Sequence, residues 1–285
     1  MYDCLKWYVT ASDALKNNCL KASPVFKLPH IHISTNHTVY YQTINGRTEL
    51  PCLVFLHEGL GCTAMWGKFP ELLCRTTGCS GLLYDRQGYG LSSPFLSPRT
   101  IHYLHYSALY ELAAVLEKLL KDKPYILVGH SDGGTIALMY ASERPAGLQG
   151  IITEAAHVHV DPQTVAGIRE AVQAWKDGKL KGLEKYHGNN AEAVFKAWSE
   201  TWLSSWFRHW NVEYLLPSIV SPLLVIQGRN DHYGSRDQAE IISSKSSGSA
   251  QMEIVDNCDH IPHVEAQFEV VTLMSEFIGK LVKQD

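Results

Sequence analysis

Short, unbroken apolar runs alternate along this chain with longer stretches whose apolar positions recur every three or four residues. The runs at 52–56, 81–84, 125–128, 150–156, 223–227 and 252–255 are too short for buried helices. They also lack polar alternation, so each reads as a strand buried on both faces. Ahead of them, 29–34 and 39–44 flank Asn36-His37 and close at Asn45-Gly46, the pattern of a hairpin. Ile101, Leu104, Ala108, Leu112, Val115, Leu116 and Leu119 mark the strongest helix, which Pro124 ends. Shorter helical patterns cover 70–75, the stretch after 131 to about Glu143, and 264–282. Near the amino terminus, Leu5, Tyr8 and Val9 predict a short amphipathic helix packed on the domain.

Strands alternating with helices predict an α/β fold: a mostly parallel sheet covered on both faces, with its ligand site at the carboxyl ends of the strands. The alternation breaks once. No strand-like run occurs in 157–222, and a connection of that length carries structure of its own. Its pattern is helical. The expected organisation is a core formed by 1–156 and 217–285, with a helical lid, 157–216, inserted over the site.

At 285 residues the chain accommodates one large α/β domain, and 45% hydrophobic with 19% charged residues is ordinary for a globular protein. A net charge of −4 supplies no basic footprint for nucleic acid. No apolar run approaches the roughly 18 residues of a membrane span. The first residues carry Asp3, Lys6 and Asp13 instead of a secretory signal, so a cytoplasmic location is expected. The seven cysteines are scattered without any Cys-x-x-Cys pair and read as reduced, mostly core residues. Cys74 and Cys79 are near enough to pair, but nothing in the sequence requires it.

The chemistry concentrates where the run 125–128 meets Gly129-His130-Ser131-Asp132-Gly133 and turns into a helical segment. Gly129 and Gly133 keep side chains out of a close strand–helix approach. Ser131 then projects its hydroxyl from the carboxyl edge of the sheet, beside free N–H groups at a helix start. A serine hydroxyl is a poor nucleophile near neutral pH and needs a base, and the base needs a group fixing its tautomer. Both belong at the ends of later strands. Leu224-Val225-Ile226-Gln227-Gly228-Arg229-Asn230-Asp231 delivers Asp231, and the run ending at Val255 delivers His260. Asp256 and Asp259 are rival acids, placed awkwardly on the histidine's own strand end. His263, at a helix start, and His232, in a loop, are rival bases. Acyl transfer also needs donors facing the developing oxyanion. The backbone N–H groups of Asp132 and of Gly59, in His57-Glu58-Gly59-Leu60-Gly61, are the candidates. Asp85 to Ser92 reads as scaffold, with Arg86 paired to an acid.

With these elements in this order, the chain resembles the α/β-hydrolase superfamily, in particular its esterase-like serine hydrolases with a helical lid. The resemblance covers residues 28–283. It implies an eight-stranded sheet with a lid between the sixth and seventh strands. It also implies Ser131 as nucleophile, Asp231 as acid, His260 as base, and Gly59 and Asp132 as oxyanion donors. Two residues depart from the family pattern: Glu58, where glycine usually follows the histidine, and Asp132, where an apolar or amide residue is common. A helix N-terminus compensates a carboxylate at Asp132. The two acids either organise hydrogen bonds or disfavour anionic substrates and engage a polar or cationic group.

Five of the seven tryptophans fall in the lid, and Trp198, Trp202, Trp206 and Trp210 recur every four residues behind Phe195. On one helix they form a stripe that either packs the lid on the sheet or walls an apolar pocket. Trp198, Trp202, Glu58 and His157 are the candidate substrate contacts. The expected partner is a small molecule, with no cofactor. The elbow serine suits carboxylic esters first, and thioesters, amides or carbon–carbon cleavage as alternatives; halide displacement wants a carboxylate at 131. Outside this class stand a non-catalytic binding protein on the same scaffold and a metal-dependent hydrolase using His157 and His159, whose His-x-His spacing suits one ion.

Overall fold

The structure, a computed structural model, describes residues 29–282; the expected amino-terminal helix lies outside the described residues. β1 (His30–Ser34) and β2 (His37–Ile44) form the hairpin, with His30 opposite Tyr40. β3 (Cys52–Leu56), α1 (Phe69–Thr77) and β4 (Ser80–Tyr84) follow. α2 begins as Tyr103–Tyr106, passes through a π turn at Ser107–Leu112 and continues as Ala113–Leu119. The spacing predicts one regular helix here; the chain keeps one helix but widens it in the middle. Then come β5 (Tyr125–His130), α3 (Asp132–Ala141) and β6 (Leu148–Glu154).

The segment between β6 and β7 (Leu223–Gly228) holds no named strand. Its helices are α4 (Pro162–Lys176), α5 (Glu184–His187) and α6 (Ala191–Leu203), and α4 packs against α6. α7 (Arg236–Lys245), β8 (Ala250–Val255), α8 (Pro262–Glu265) and α9 (Gln267–Val282) complete the described chain. The sequence predicts one final helix; the structure divides it at Ala266, whose φ of −128° and ψ of 41° leave the helical region.

The eight strands lie in the order β1-β2-β4-β3-β5-β6-β7-β8. β2 is antiparallel to both its neighbours, and β3 through β8 are parallel. Every position of β3, β5 and β7 is buried, which explains their unbroken apolar runs. Side chains nevertheless alternate between two cores. Val54, Leu127 and Val225 pack with Leu112, Ile136 and Ile242 on one face. Phe55, Val128 and Ile226 pack with Leu73, Val270 and Met274 on the other.

The tryptophan stripe is shorter than the spacing predicts. α6 ends at Leu203, and Ser204 turns extended with a ψ of 151°. The Ser204 hydroxyl and N–H both donate to the Thr201 carbonyl, at 2.7 Å and 3.1 Å, a local closure that competes with continuing the helix. Trp206 is then half-exposed in a turn, while Trp210 folds back to stack on Phe207.

Candidate active site

The strand order reverses between β3 and β5, so the two loops leaving their carboxyl ends flank one crevice. The first is His57–Gly61 and the second carries Ser131. Ser131 holds a φ of 52° and ψ of −117°, a conformation costly for a side chain and tolerated where surrounding contacts impose it. Those contacts are visible. A Cβ on Gly129 would sit 2.3 Å from the Gly133 carbonyl oxygen, so only glycine lets α3 start this close to β5. The Ser131 N–H donates to the Glu154 carbonyl of β6 at 2.8 Å.

Asp231, buried in the turn after β7, faces His260, which follows β8. His260 Nδ1 lies 2.9 Å from Asp231 Oδ2 and 3.0 Å from Oδ1, and Nε2 lies 3.1 Å from Ser131 Oγ. A carboxylate only accepts, so the imidazole proton resides on Nδ1 and the Nε2 lone pair faces the hydroxyl. Gln227 Nε2 donates to Asp231 Oδ2 at 2.7 Å, and the N–H groups of Tyr233 and Gly234 donate to Oδ1 at 2.8 Å and 3.1 Å. His130 Nε2 donates to the His260 carbonyl at 2.7 Å, tying the histidine loop to the residue preceding the serine. Burial alone depresses the His260 imidazole, but the charge and hydrogen bond of Asp231, with smaller help from Asp259 and Glu58, raise it above its usual value. Burial likewise works to raise Asp231, and the facing His260 outweighs it, holding the carboxyl below its usual range.

The rivals lie elsewhere. Asp256 pairs with Arg229 on the surface, Asp259 with His232 at 2.6 Å, and His263 with buried Glu154 at 2.7 Å. Asp231, His232 and Asp259 are the described group whose potential metal-ligating atoms lie within 4.8 Å of one another. Asp231 is already engaged there by His260 and three further donors. His157 and His159 turn to separate partners: His157 Nε2 donates to the Tyr233 carbonyl at 2.9 Å, and His159 Nδ1 lies 3.3 Å from Glu213.

Asp132 opens α3, so its N–H has no intrahelical acceptor. Among the described residues the Gly59 N–H makes no backbone or side-chain hydrogen bond. Beneath them lies a brace built on Arg86 and Tyr89, from the stretch that the sequence assigns to scaffold alone. The buried Arg86 guanidinium donates to the Glu58 carbonyl at 2.9 Å and to the His57 carbonyl, and stands 3.9 Å from Asp132 Oδ2. The Arg86 N–H donates to His57 Nε2 at 3.1 Å, and Tyr89 donates its hydroxyl to the Gly59 carbonyl at 3.0 Å. Tyr103 donates to Asp132 Oδ2 at 3.2 Å and accepts from Trp202 Nε1 at 3.0 Å. Asp132 Oδ2 is thus engaged below the crevice. Arg86 lies just past Tyr84, the last residue of β4, and the pairing of β4 with β3 brings it under the loop.

A cavity of about 50 Å³ adjoins the serine, lined by Glu58, Gly59, Ser131, Trp198, Tyr233 and His260 among others. Of the four candidate substrate contacts, Glu58 and Trp198 reach it. Trp202 and His157 do not: they pack on each other behind it, ring centroids 5.4 Å apart. Burial pushes the Glu58 carboxyl up to about 7, against the opposing charges of Arg86 and His260. No described helix is long and apolar enough to cross a membrane.

The sequence profile of the alpha/beta hydrolase family matches residues 53–273. The chain is 28% identical to the serine hydrolase BPHL of Homo sapiens over 204 residues, 68% of each chain. It is 25% identical to a proline iminopeptidase of Lactobacillus helveticus over 298 aligned positions, 89% of this chain and 97% of the relative. Among solved structures, the enol-lactonase from Burkholderia xenovorans LB400 superposes with a TM-score of 0.69 at 16% identity, covering 88% of this chain and all of that one (100%). The sheet order, the strand–serine–helix turn and a profile match over most of its length make this chain a member of the alpha/beta hydrolase family.

Proposed function

We propose that this hydrolase cleaves small to medium acyl substrates, carboxylic esters above all, through a covalent acyl-enzyme on Ser131. His260 Nε2 takes the hydroxyl proton as Oγ bonds to the substrate carbonyl carbon. The carbonyl electrons move to oxygen, and the N–H groups of Gly59 and Asp132 receive the negative charge. The oxyanion collapses, the carbon–alkoxide bond breaks, and His260 returns its proton to the leaving alcohol. Water then gives a proton to His260 and attacks the acyl carbon; the C–Oγ bond breaks, and Ser131 recovers its proton as the acid leaves. Asp231 fixes the Nδ1–H tautomer throughout and stabilises the imidazolium.

The observation carrying this reading is the 3.1 Å contact from His260 Nε2 to Ser131 Oγ, with Nδ1 turned to Asp231. Residues 157–216 act as the lid. Ligand sites commonly measure roughly 300–1,000 Å³, so a cavity of about 50 Å³ admits a substrate once Trp198 and its helix move aside. A cytoplasmic setting belongs to the same proposal and is tested by cell fractionation.

Intact-mass analysis after exposure to a fluorophosphonate should find one adduct on the wild type and none on Ser131→Ala, and the variant should lose p-nitrophenyl ester hydrolysis while staying folded. Activity abolished by a chelator yet untouched by the fluorophosphonate would reverse the reading in favour of a metal. Amide cleavage is the second acyl reading, prompted by relatives named proline iminopeptidase. A panel of esters, thioesters, amides and diketones separates these bonds, and an adduct without turnover on any of them would mark a binding protein.

A further inference from the structure

The carbonyls around the Gly59 N–H are held one by one. Arg86 donates to those of His57 and Glu58, and Tyr89 to that of Gly59. Both side chains follow β4. The next carbonyl, that of Leu60, is held from the helices between β6 and β7: His187, the last residue of α5, donates to it from Nε2 at 2.8 Å. The other ring nitrogen, Nδ1, accepts the Gly90 N–H at 2.9 Å. A peptide N–H only donates and a carbonyl only accepts, so the ring is neutral with its proton on Nε2. Burial favours that state, holding the imidazole below its usual value against the smaller opposing pull of the Leu60 carbonyl. The side chain is buried, and its ring meets that of Tyr89 edge-on with centroids 6.0 Å apart. One imidazole from α5 therefore ties together the loop that carries Gly59 and the loop that carries Arg86 and Tyr89.

We infer that His187 is a positioning residue: by fixing the Leu60 carbonyl it holds the aim of the Gly59 N–H, and so makes α5 a part of the oxyanion site. The need for such a hold is local. Glycines stand on both sides of Leu60, and a glycine backbone restrains its neighbouring peptide planes least. Tyr89 fixes the plane that follows Gly59, and His187 fixes the one after it. An oxyanion donor works by being aimed before the reaction begins, and a displacement of about 1 Å can cost roughly 10²-fold in rate. The helices between β6 and β7 then divide their tasks: α6 carries Trp198 away from the cavity to admit substrate, while α5 stays with the loop. The inference rests on the acyl-enzyme reading of Ser131.

Two amides separate the two ring nitrogens. His187→Gln places its amide nitrogen where Nε2 stands and keeps a donor for Leu60, whereas His187→Asn reaches only as far as Nδ1 and can serve Gly90 alone. With a p-nitrophenyl ester, His187→Asn should lower kcat at least about 10-fold and leave KM within about twofold of the wild type. It should weaken by a similar factor a trifluoromethyl ketone, which forms a tetrahedral oxyanion on the serine. His187→Gln should stay within about threefold of the wild type in all three measurements. In ¹⁵N-histidine spectra of the wild type, the His187 ring, assigned by its loss in His187→Gln, should keep its proton on Nε2 when the ketone is bound. Wild-type kcat in His187→Asn, equal losses in the two variants, a loss confined to KM, or a proton that leaves Nε2 on ketone binding overturns the inference. If His187→Asn does not fold, the wild-type spectra decide alone. A wild type that neither takes a fluorophosphonate nor turns over any ester sinks the acyl-enzyme reading, and the inference with it.

Discussion

Gly133 and Leu56 are in backbone contact: a Cβ on Gly133 would sit 1.9 Å from the Leu56 carbonyl oxygen. This approach sets the start of α3 against the end of β3, and so brings the Asp132 N–H into the same crevice as Gly59. Backbone on both sides leaves nothing flexible to yield. Gly133→Ala should therefore destabilise the fold by more than about 3 kcal/mol, read from urea unfolding. Gly279, on α9, has nothing within 4 Å of its notional Cβ. Gly279→Ala should stabilise by about 0.5–1 kcal/mol through helix propensity alone.

The orientation of His260 depends on Asp231 accepting from Nδ1. Asp231→Asn presents an amide that can donate, which favours the wrong tautomer, and kcat should fall by roughly 10³–10⁴-fold with KM little changed. In the proposed reaction His260 must be neutral to take the serine proton. Since its pKa is raised, kcat/KM for a neutral ester should fall as pH drops, with a midpoint above the free imidazole value of about 6.5. Stability runs the other way. The raised folded pKa gives a contribution fully present below the unfolded value and lost as pH rises through the folded one. A pH–rate profile beside a melting curve at each pH checks both signs.

Arg86 and Asp132 are both buried, 3.9 Å apart. Arg86→Met leaves the Asp132 charge facing no cation and frees the carbonyls of His57 and Glu58, at a cost of about 3–5 kcal/mol. Adding Asp132→Asn should recover part of that loss. Denaturation of the two single variants and the double variant measures the coupling, and additive losses would show that the pair is not a unit.

Asp161 caps α4, accepting the Thr164 N–H at 2.7 Å, and its other oxygen takes Ser235 and Gln238 at the start of α7. One carboxylate thus joins the inserted helices to the core. Asp161→Ala should cost about 2 kcal/mol. Burial works to raise this carboxyl, and hydrogen bonds from Thr164, Gln238 and Ser235 outweigh it, bringing it to about 2. A depressed folded pKa contributes stability above the unfolded value of about 4, lost as pH falls towards 2. Melting temperatures measured down to pH 3 should decline less in Asp161→Ala than in the wild type.

Much of this protein is legible along the chain because the determinants are local. Unbroken apolar runs set the buried strands, three- and four-residue spacing set the covering helices, and Gly129, Ser131 and Gly133 define a turn within five positions. The Ser131, Asp231, His260 order is readable for the same reason: each residue ends a recognisable run, and ends of parallel strands share one edge. Tertiary structure decided the rest. Arg86 braces the loop at His57 and Glu58 because β4 lies beside β3, a lateral order that no periodicity encodes. Trp198 reaches the cavity while Trp202, four residues later on the same helix, packs on Tyr103 and His157, because an apolar stripe reports that a face is covered and not by what. Likewise Glu58 and Asp132 are both simply acids in the sequence; the structure gives Asp132 the Tyr103 hydroxyl, brought from a distant position, and Glu58 the Leu60 N–H of its own loop. Local backbone preference writes the elements, whereas partners for buried charge are assigned only once the sheet has closed.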